Sequence, residues 1–155
     1  MTAARDARQP GSRTLLGFDF GLKRIGVAAG NESTGTASPV TTVRGGHPDA
    51  DWPAIKALVE EWRPDLALVG LPLNRDNTAG TIAQAAEHFA EEIRLRFGLP
   101  VEMVDEALSS WEAADRLRRE RRAGAKRRGN ARTGLDAVAA QLIIESWLSR
   151  QTGNQ

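Results

Sequence analysis

The chain has no cysteine among its 155 residues, which excludes disulfide bonds and zinc sites built on cysteine thiolates. It also has no apolar run near the ~18 to 20 residues of a membrane-spanning helix, so we expect no membrane partner. The first dozen residues lack the apolar stretch of a secretory signal peptide. We therefore expect a cytoplasmic protein with a disordered tail over residues 1–13, one domain over 14–150 and a C-terminal tail over 151–155.

Histidine is scarce as well. His47 falls in a loop and His88 on the polar side of a predicted helix, so we interpret both as surface residues. Neither a Ser-His-Asp nor a Cys-His catalytic set is available to such a chain. The side chains left to carry chemistry are carboxylates and cations.

The formal net charge of +1 hides a strong asymmetry. Residues 116–132 hold nine lysines and arginines and a single acid, Glu120, whereas the rest of the chain has 12 basic and 19 acidic residues. A basic block on an acidic domain is a candidate footprint for a polyanion such as nucleic acid. A solvated helix face followed by a flexible loop is the alternative, and charge alone leaves both open.

Hydrophobic periodicity and turn residues predict the order β-β-β-α-β-α-β-α-α. The predicted strands cover residues 15–20, 25–29, 36–43, 66–71 and 101–106; the predicted helices begin at Asp51, after the loop 72–80, at Ser109 and near Thr133, and a mobile loop is predicted over 123–134. The last helix carries an apolar stripe of Leu135, Val138, Ala139, Leu142, Ile143 and Trp147. Crossover helices impose parallel pairing. The prediction is an α/β fold: a mixed five-stranded sheet, its first three strands antiparallel and its last two parallel to the first, with helices on both faces.

Sites in such sheets form beyond the carboxyl ends of the parallel strands, and two acids are predicted there. Asp19 ends the first strand and Glu106 ends the last. With the first strand central, the two acids are about 9.6 Å apart, two strand spacings, with Gly70 between them. Asp136 opens the final helix, just after the basic block. Taken singly, these acids also fit a turn, a surface ion pair and a helix cap.

Three acids brought together need protonation or a hard cation to stay compact, because two like charges ~4 Å apart repel by about 4 kcal/mol at an effective dielectric near 20. Oxygen ligands on a chain without cysteine favour Mg²⁺ or Mn²⁺. A pair of such ions beside cations suits phosphodiester hydrolysis, one ion activating water and the other stabilising the leaving oxygen. We therefore expect Asp19, Glu106 and Asp136 to be metal ligands and catalytic residues.

Four short stretches occur in order between residues 15 and 147: Phe18-Asp19-Phe20-Gly21 with Lys23 and Ile25-Gly26-Val27-Ala28, Val69-Gly70-Leu71-Pro72-Leu73-Asn74, Asp105-Glu106 with Leu108-Ser109, and Asp136 with Ala139-Ala140. The series resembles the YqgF family, also called RuvX, of pre-16S ribosomal RNA nucleases related to RuvC-type Holliday junction resolvases. The resemblance implies an RNase H-like fold, a metal-dependent nuclease and an acidic triad of Asp19, Glu106 and Asp136. One position departs from the family pattern: Ala107 stands where an arginine usually follows the Asp-Glu pair, and Arg116 or Arg119 is the candidate to replace it.

Nucleic acid is the expected partner. The residues expected to bind it are Lys23, Arg24, Asn74, Arg75, Ser109, Arg116, Arg119, Lys126, Arg127, Arg128 and Arg132. The preference for precursor 16S ribosomal RNA rests on the resemblance alone, so branched or single-stranded DNA stays open. Ribosomal particles as a further partner, and a monomer or a homodimer as the assembly, stay open too.

Two rival functions remain. A Holliday junction resolvase would use the same acids on branched DNA, and a non-catalytic RNA-binding factor in ribosome assembly would keep the basic block without needing the carboxylates. Actin-like and sugar-kinase ATPases also open on an Asp-x-Gly hairpin, but they need two lobes, for which 155 residues is too short. The "DFG" triplet does not indicate a protein kinase, because the other kinase motifs are missing around it.

Overall fold

The computed structural model of the chain describes residues 9–71, 79–105 and 131–153. Its strands are β1 (Thr14–Asp19), β2 (Arg24–Asn31), β3 (Thr36–Arg44), β4 (Leu66–Leu71) and β5 (Val101–Asp105); its helices are α1 (Trp52–Trp62), α2 (Ala79–Phe97) and α3 (Ala131–Gly153). Each strand agrees with its sequence prediction to within two residues at either end. The helix predicted to begin at Ser109 lies outside the described residues.

The five strands form one sheet in the order β3-β2-β1-β4-β5. β1, β2 and β3 pair antiparallel, whereas β4 runs parallel to β1 and β5 runs parallel to β4. The predicted sheet is therefore confirmed, with β1 at its centre. Pro39 is in the edge strand β3, where a missing backbone N–H is tolerated.

One face of the sheet packs against α1 and α2. Asp51 caps α1 by accepting a hydrogen bond from the Ala54 N–H. Phe89 of α2 is buried in this core and stacks on Trp52 of α1, with ring centroids 5.4 Å apart. Successive side chains of a strand point to opposite faces of the sheet, so every second residue of β1, such as Leu16 and Phe18, enters this core.

α3 covers the opposite face, where the sheet supplies glycines instead of large side chains. A Cβ on Gly17 or on Gly30 would lie 2.6 and 2.7 Å, respectively, from atoms of Ile144. These glycines let the helix lie close to the backbone of β1 and β2. Buried Ile144 and Trp147 then complete a second core with residues of the sheet.

The structure corrects two expectations about this last helix. It begins at Ala131, so residues 131–134, predicted as the end of a loop, are helical. A glycine at position 134 is tolerated in a helix that the sheet stabilises by packing. Leu142, Ile143 and Trp147 of the predicted stripe are buried as expected. Leu135, Val138 and Ala139 are only half-buried, and Ala137 and Ala140 are buried instead. Small residues of α3 face the sheet here, because the glycines of β1 and β2 bring the backbones of helix and sheet close together.

The segment before β1 contacts Glu32, the residue that follows β2. Gly11 and Arg13, at positions assigned to the tail from sequence, donate backbone hydrogen bonds to the Glu32 carboxylate. The Arg13 guanidinium also pairs with Glu32 at 2.8 Å.

In the described part of the chain, no helix has the length and apolar character needed to cross a membrane.

Candidate active site at the carboxyl edge of the sheet

Asp19, the last residue of β1, is the centre of the candidate site. Strand alternation places it on the α3 side together with Gly17, while Phe18 and Phe20 are buried on the opposite side. Both phenylalanine rings contact Phe89, with centroids at 5.5 and 5.3 Å. The rings anchor the chain immediately before and after Asp19, which fixes the position of its carboxylate.

The carboxylate of Asp19 is crowded by protein atoms and keeps only part of its surface open to water. Burial, and to a lesser degree the negative charge of Asp136, raises the pKa of Asp19 to about 7. Within the described ranges, no hydrogen bond or ion pair engages this carboxylate. An enclosed, unpaired acid opposes folding, and groups of this kind are concentrated at functional sites.

Asp136 reaches Asp19 because of a glycine in the neighbouring strand. Gly26 pairs directly with Asp19 across β1 and β2. A Cβ on Gly26 would lie 1.8 Å from the carbonyl oxygen of Asp136 and 2.3 Å from its carbonyl carbon. Only glycine leaves room for the second turn of α3 at this point. The close approach brings the two predicted acids together from elements that are far apart in the chain.

Arg24 supplies the positive charge that faces Asp136 in this structure. Its Nε donates to Oδ2 of Asp136 at 2.6 Å. The ion pair joins the first residue of β2 to α3 over 112 positions of sequence. Arg24, expected to bind nucleic acid, therefore lies at the acidic centre, although its contact here is a carboxylate.

The other side of the site is formed by β4 and β5. Gly70 of β4 pairs with Asp19 of β1 on one side and with Val104 of β5 on the other. Its predicted place beside Asp19 is confirmed, whereas in β5 it is Val104, two residues before Glu106, that lies opposite Gly70. β5 is described up to Asp105. Glu106, the third predicted acid, is the next residue of the chain and lies outside the described residues.

The turn between β1 and β2 is held by the loop that follows β3. The Gly45 N–H donates to the Lys23 carbonyl at 2.8 Å, and the Gly46 N–H donates to the Gly21 carbonyl at 3.0 Å. A Cβ on Gly21 would lie 2.4 Å from the carbonyl oxygen of Arg24, so only glycine fits this tight turn. The Lys23 side chain is exposed at the tip.

Most of the other residues expected to bind nucleic acid lie outside the described residues. They are Asn74, Arg75, Ser109, Arg116, Arg119, Lys126, Arg127 and Arg128. Arg132 belongs to the first turn of α3. The two histidines, His47 and His88, are exposed, in agreement with their interpretation as surface residues.

The donors that the structure brings together fit a hard divalent cation. In the described segments there is no group of three or more histidine, cysteine or acidic residues that could hold a metal ion. Two carboxylates do converge, Asp19 and Asp136, and Asp19 has no competing partner in those segments. Carboxylate oxygens are the ligands that Mg²⁺ and Mn²⁺ prefer. The described pair therefore supplies part of a metal site and needs at least one further ligand.

Mn²⁺ affinity is expected to rise with pH, because the cation and a proton compete for Asp19. With a pKa of about 7, the ionised fraction of Asp19 goes from about a tenth at pH 6 to about nine tenths at pH 8, so affinity rises about tenfold. Isothermal titration calorimetry at the two pH values measures the change. The Asp19→Asn variant is the control, with weak binding and no such rise. A constant wild-type affinity over this range would show that Asp19 is not a ligand.

Two residues of this edge were not recognised from the sequence. The sequence places Gly26 in a strand and in one of the stretches that resemble the family, but it does not predict that α3 packs against this glycine. Arg44 was not considered, although the register places it directly opposite Arg24. The hairpin pattern does not predict this pairing, because counting outward from the turn sets Arg24 opposite Val43, and an irregularity between Val27 and Ala28 shifts the register to Arg44. No local signal existed for Gly26, since its neighbour comes from the end of the chain.

The chain is similar to known proteins. A family model described as "RuvX: Holliday junction resolvase" matches residues 13–150. A curated relative from Nitrosococcus oceani is 44% identical over 152 residues, covering 97% of each chain. Another from Chromohalobacter salexigens is 46% identical over 145 residues, covering 93% of this chain and 95% of the relative. Both carry the name "Putative pre-16S rRNA nuclease".

Solved structures resemble the fold. Thermus thermophilus RuvC in complex with a Holliday junction substrate matches with a TM-score of 0.55 at 14% identity, covering 90% of this chain and 96% of that one. A further Thermus thermophilus RuvC structure matches with a TM-score of 0.52 at 15% identity and the same coverage. At such identities the likeness concerns the fold, which confirms the RNase H-like architecture. Together with the sheet order and the family match over residues 13–150, this establishes that the chain belongs to the RuvX family.

Proposed function

We propose that this protein is a metal-dependent nuclease that hydrolyses phosphodiester bonds during 5′-end maturation of precursor 16S ribosomal RNA. The observation that carries the proposal is the convergence of Asp136 on Asp19, an enclosed carboxylate with a raised pKa and no partner in the described residues. The names of the relatives support the nuclease class and the RNA substrate. A cytoplasmic location and ribosomal particles as a partner follow from that substrate.

Asp19, Asp136 and Glu106 are the proposed metal ligands, and Mg²⁺ or Mn²⁺ is the proposed cofactor. Glu106 is included because it follows the last described residue of β5, whose neighbour strand pairs with Asp19. In a two-metal site the ions would activate the attacking water and stabilise the leaving oxygen. Asp19 would serve as a rigid anion between the two halves of the sheet, held by the buried rings of Phe18 and Phe20.

The cations around this edge are the proposed contacts for the phosphate backbone. Lys23 is exposed at the tip of the first turn, on a backbone fixed by the Gly45 N–H. The basic residues of the block 116–132 extend the same proposal along the chain. Binding through such cations is governed by counterion release and does not itself select RNA over DNA.

Holliday junction resolution is the second candidate function, favoured by the printed description of the matching family model. It would use the same three acids on a branched DNA. The distinction lies in the substrate and not in the chemistry, because RNA and DNA differ at the 2′-hydroxyl while the scissile phosphate is the same.

A side-by-side cleavage assay tests these alternatives. Purified protein is incubated with a precursor 16S ribosomal RNA fragment, a single-stranded DNA of the same sequence and a four-way DNA junction, each with Mg²⁺ and with Mn²⁺. The proposal expects cleavage of the precursor RNA at a rate above that of both DNAs. Faster cleavage of the junction would favour the resolvase. Binding of RNA without cleavage of any substrate would favour the non-catalytic assembly factor.

A further inference from the structure

Arg24 engages Asp136 with only part of its hydrogen-bonding capacity. The contact is made by Nε, and the side chains of Arg24 and Asp136 are 41% and 24% exposed. A guanidinium carries four further N–H donors, and in the described ranges none of them has another acceptor. A second anion can therefore reach the guanidinium from solvent.

Arg44 brings a second arginine to the same end of the strand pair. It lies directly opposite Arg24 in the antiparallel pairing of β2 and β3. Such residues carry their side chains on one face with Cβ atoms about 5 Å apart, and like charges there repel each other. In the described part of the chain, Arg44 forms one hydrogen bond, from Nε to the Asp49 carbonyl at 3.3 Å. Both arginines are thus exposed, and within the described residues each uses only one of its guanidinium N–H donors.

The backbone that carries the two arginines is held in place. The Gly45 N–H, next to Arg44, donates to the carbonyl of Lys23, next to Arg24, at 2.8 Å. Gly21 packs against the Arg24 carbonyl so closely that a Cβ would lie 2.4 Å from it. The side chains of Arg24 and Arg44 can therefore rearrange here while their backbone stays in place.

We propose that Arg24 and Arg44 form a phosphate-binding subsite for the nucleic-acid substrate, and that this subsite becomes available when a divalent cation takes Asp136 from Arg24. The inference rests on the proposed function and adds the order in which the divalent cation and the substrate phosphate bind. The planar guanidinium fork matches two oxygens of a phosphate as well as it matches a carboxylate. Arg24 can exchange one anion for the other without losing its hydrogen bonds.

Charge balance drives this exchange. Without a cation, the Arg24 guanidinium neutralises Asp136. A divalent ion bound to Asp19 and Asp136 neutralises both acids and repels the guanidinium beside it. A backbone phosphate supplies the negative charge that Arg24 then lacks. Metal and substrate therefore favour each other's binding through Arg24.

Metal affinity without substrate tests the first half of the proposal. Mn²⁺ is titrated into the full chain by calorimetry at pH 8, for the wild type and for Arg24→Gln, Arg24→Lys, Arg44→Gln and Arg94→Gln. Arg24→Gln is expected to bind Mn²⁺ about threefold to fivefold more tightly, the effect of losing a partly exposed ion pair that competes with the metal. Arg24→Lys keeps the charge and should stay near the wild type. Arg44→Gln should also stay near the wild type.

Arg94→Gln is the matched control, because Arg94 is ion-paired to Glu91 on α2, on the other side of the sheet. It should leave both metal and RNA binding unchanged. Thermal unfolding of each variant confirms that it is folded.

Oligonucleotide binding tests the second half. A fluorescent single-stranded RNA of about 20 nucleotides is bound over a range of salt concentrations, with EDTA or with Mn²⁺, and is checked for cleavage. Each lost phosphate contact lowers the slope of log K against log[salt] by about 0.7 on single strands. Arg44→Gln is expected to lower it in both conditions. Arg24→Gln is expected to lower it only with Mn²⁺, because Asp136 holds Arg24 when the metal is absent.

The outcomes separate this proposal from the nuclease itself. Unchanged or weaker Mn²⁺ binding by Arg24→Gln would overturn the exchange, even if the wild type cleaves RNA. Unchanged salt slopes for both variants in Mn²⁺ would overturn the phosphate subsite. A wild type that binds no Mn²⁺ would refute the proposed metal site, and the exchange with it.

Discussion

Asp19→Asn is expected to lower the rate of RNA cleavage in Mn²⁺ by about 10²- to 10³-fold, the scale of removing one group that stabilises the transition state electrostatically. Asn keeps the size of the side chain and removes the charge that a metal needs. The pair of phenylalanine rings around position 19 is untouched, so the strand should keep its place. Single-turnover cleavage of the precursor RNA fragment measures the loss.

The same variant is expected to be more stable than the wild type when no metal is bound. The pKa of Asp19 is raised from 3.8 to about 7 in the folded chain, so ionised Asp19 opposes folding. This penalty is absent below pH 3.8, grows between pH 3.8 and 7, and is constant above. Replacing the acid should therefore stabilise the protein by about 2 to 4 kcal/mol at pH 8, from about 1.4 kcal/mol per pKa unit. Urea unfolding in EDTA at pH 4 and pH 8 measures the difference.

Lower activity combined with higher stability is the signature of a residue kept for function. Glu61→Gln, an exposed acid at the end of α1, is the control and should change neither quantity. Equal cleavage by the wild type and Asp19→Asn would instead favour a non-catalytic RNA-binding role. A variant that loses both activity and stability would show that Asp19 is structural.

Gly26→Ala is expected to destabilise the protein by at least about 3 kcal/mol, the upper end of the usual cost of overpacking, and to abolish cleavage. The added methyl would lie 1.8 Å from the Asp136 carbonyl oxygen and 3.0 Å from the Ala137 nitrogen. These are backbone atoms, so α3 itself must move away from β2. Asp136 would move with it and lose its place beside Asp19. Urea unfolding and the cleavage assay measure the two effects.

Two other glycines provide a graded comparison. Gly134 is in α3, and a Cβ there would meet no atom within 4 Å. Gly134→Ala should therefore stabilise α3 by up to about 1 kcal/mol through helix propensity. Gly17→Ala would meet mainly side-chain atoms of Ile144, the nearest at 2.6 Å, which can shift more easily than a backbone. Its effect should fall between the other two. A Gly26→Ala variant as stable and active as the wild type would refute the positioning of Asp136 through this contact.

The sheet could be predicted because each strand carries its own signal. The run at 66–71 is continuously apolar, as expected for a strand covered on both faces, and its bounds match β4. The crossover helices fix the parallel direction of β4 and β5. The periodicity of α3 predicts the burial of Leu142, Ile143 and Trp147. Its N-terminal part was less well predicted, because the helix there lies against Gly26 of a distant strand.

The candidate site also has one part that could be predicted from the sequence and one part that could not. That Asp19 ends the central strand and Gly70 lies beside it follows from strand order, and the register confirms both. The Arg24–Asp136 ion pair joins residues 112 positions apart, and nothing local to either residue predicts it. The position of a residue at the end of a strand can thus be predicted from sequence, whereas contacts made by a helix from a distant part of the chain need the structure.

Anomalous scattering from crystals grown with Mn²⁺ tests the central claim most directly. The account predicts a manganese peak bonded to carboxylate oxygens of Asp19 and Asp136, with Glu106 as a further ligand, at distances near the ~2.0 to 2.2 Å typical of small divalent ions with oxygen ligands. It also predicts that the Arg24 side chain has left Asp136. Manganese bound elsewhere, or no peak at Asp19 at saturating concentration, would contradict the metal site on which the proposed nuclease depends.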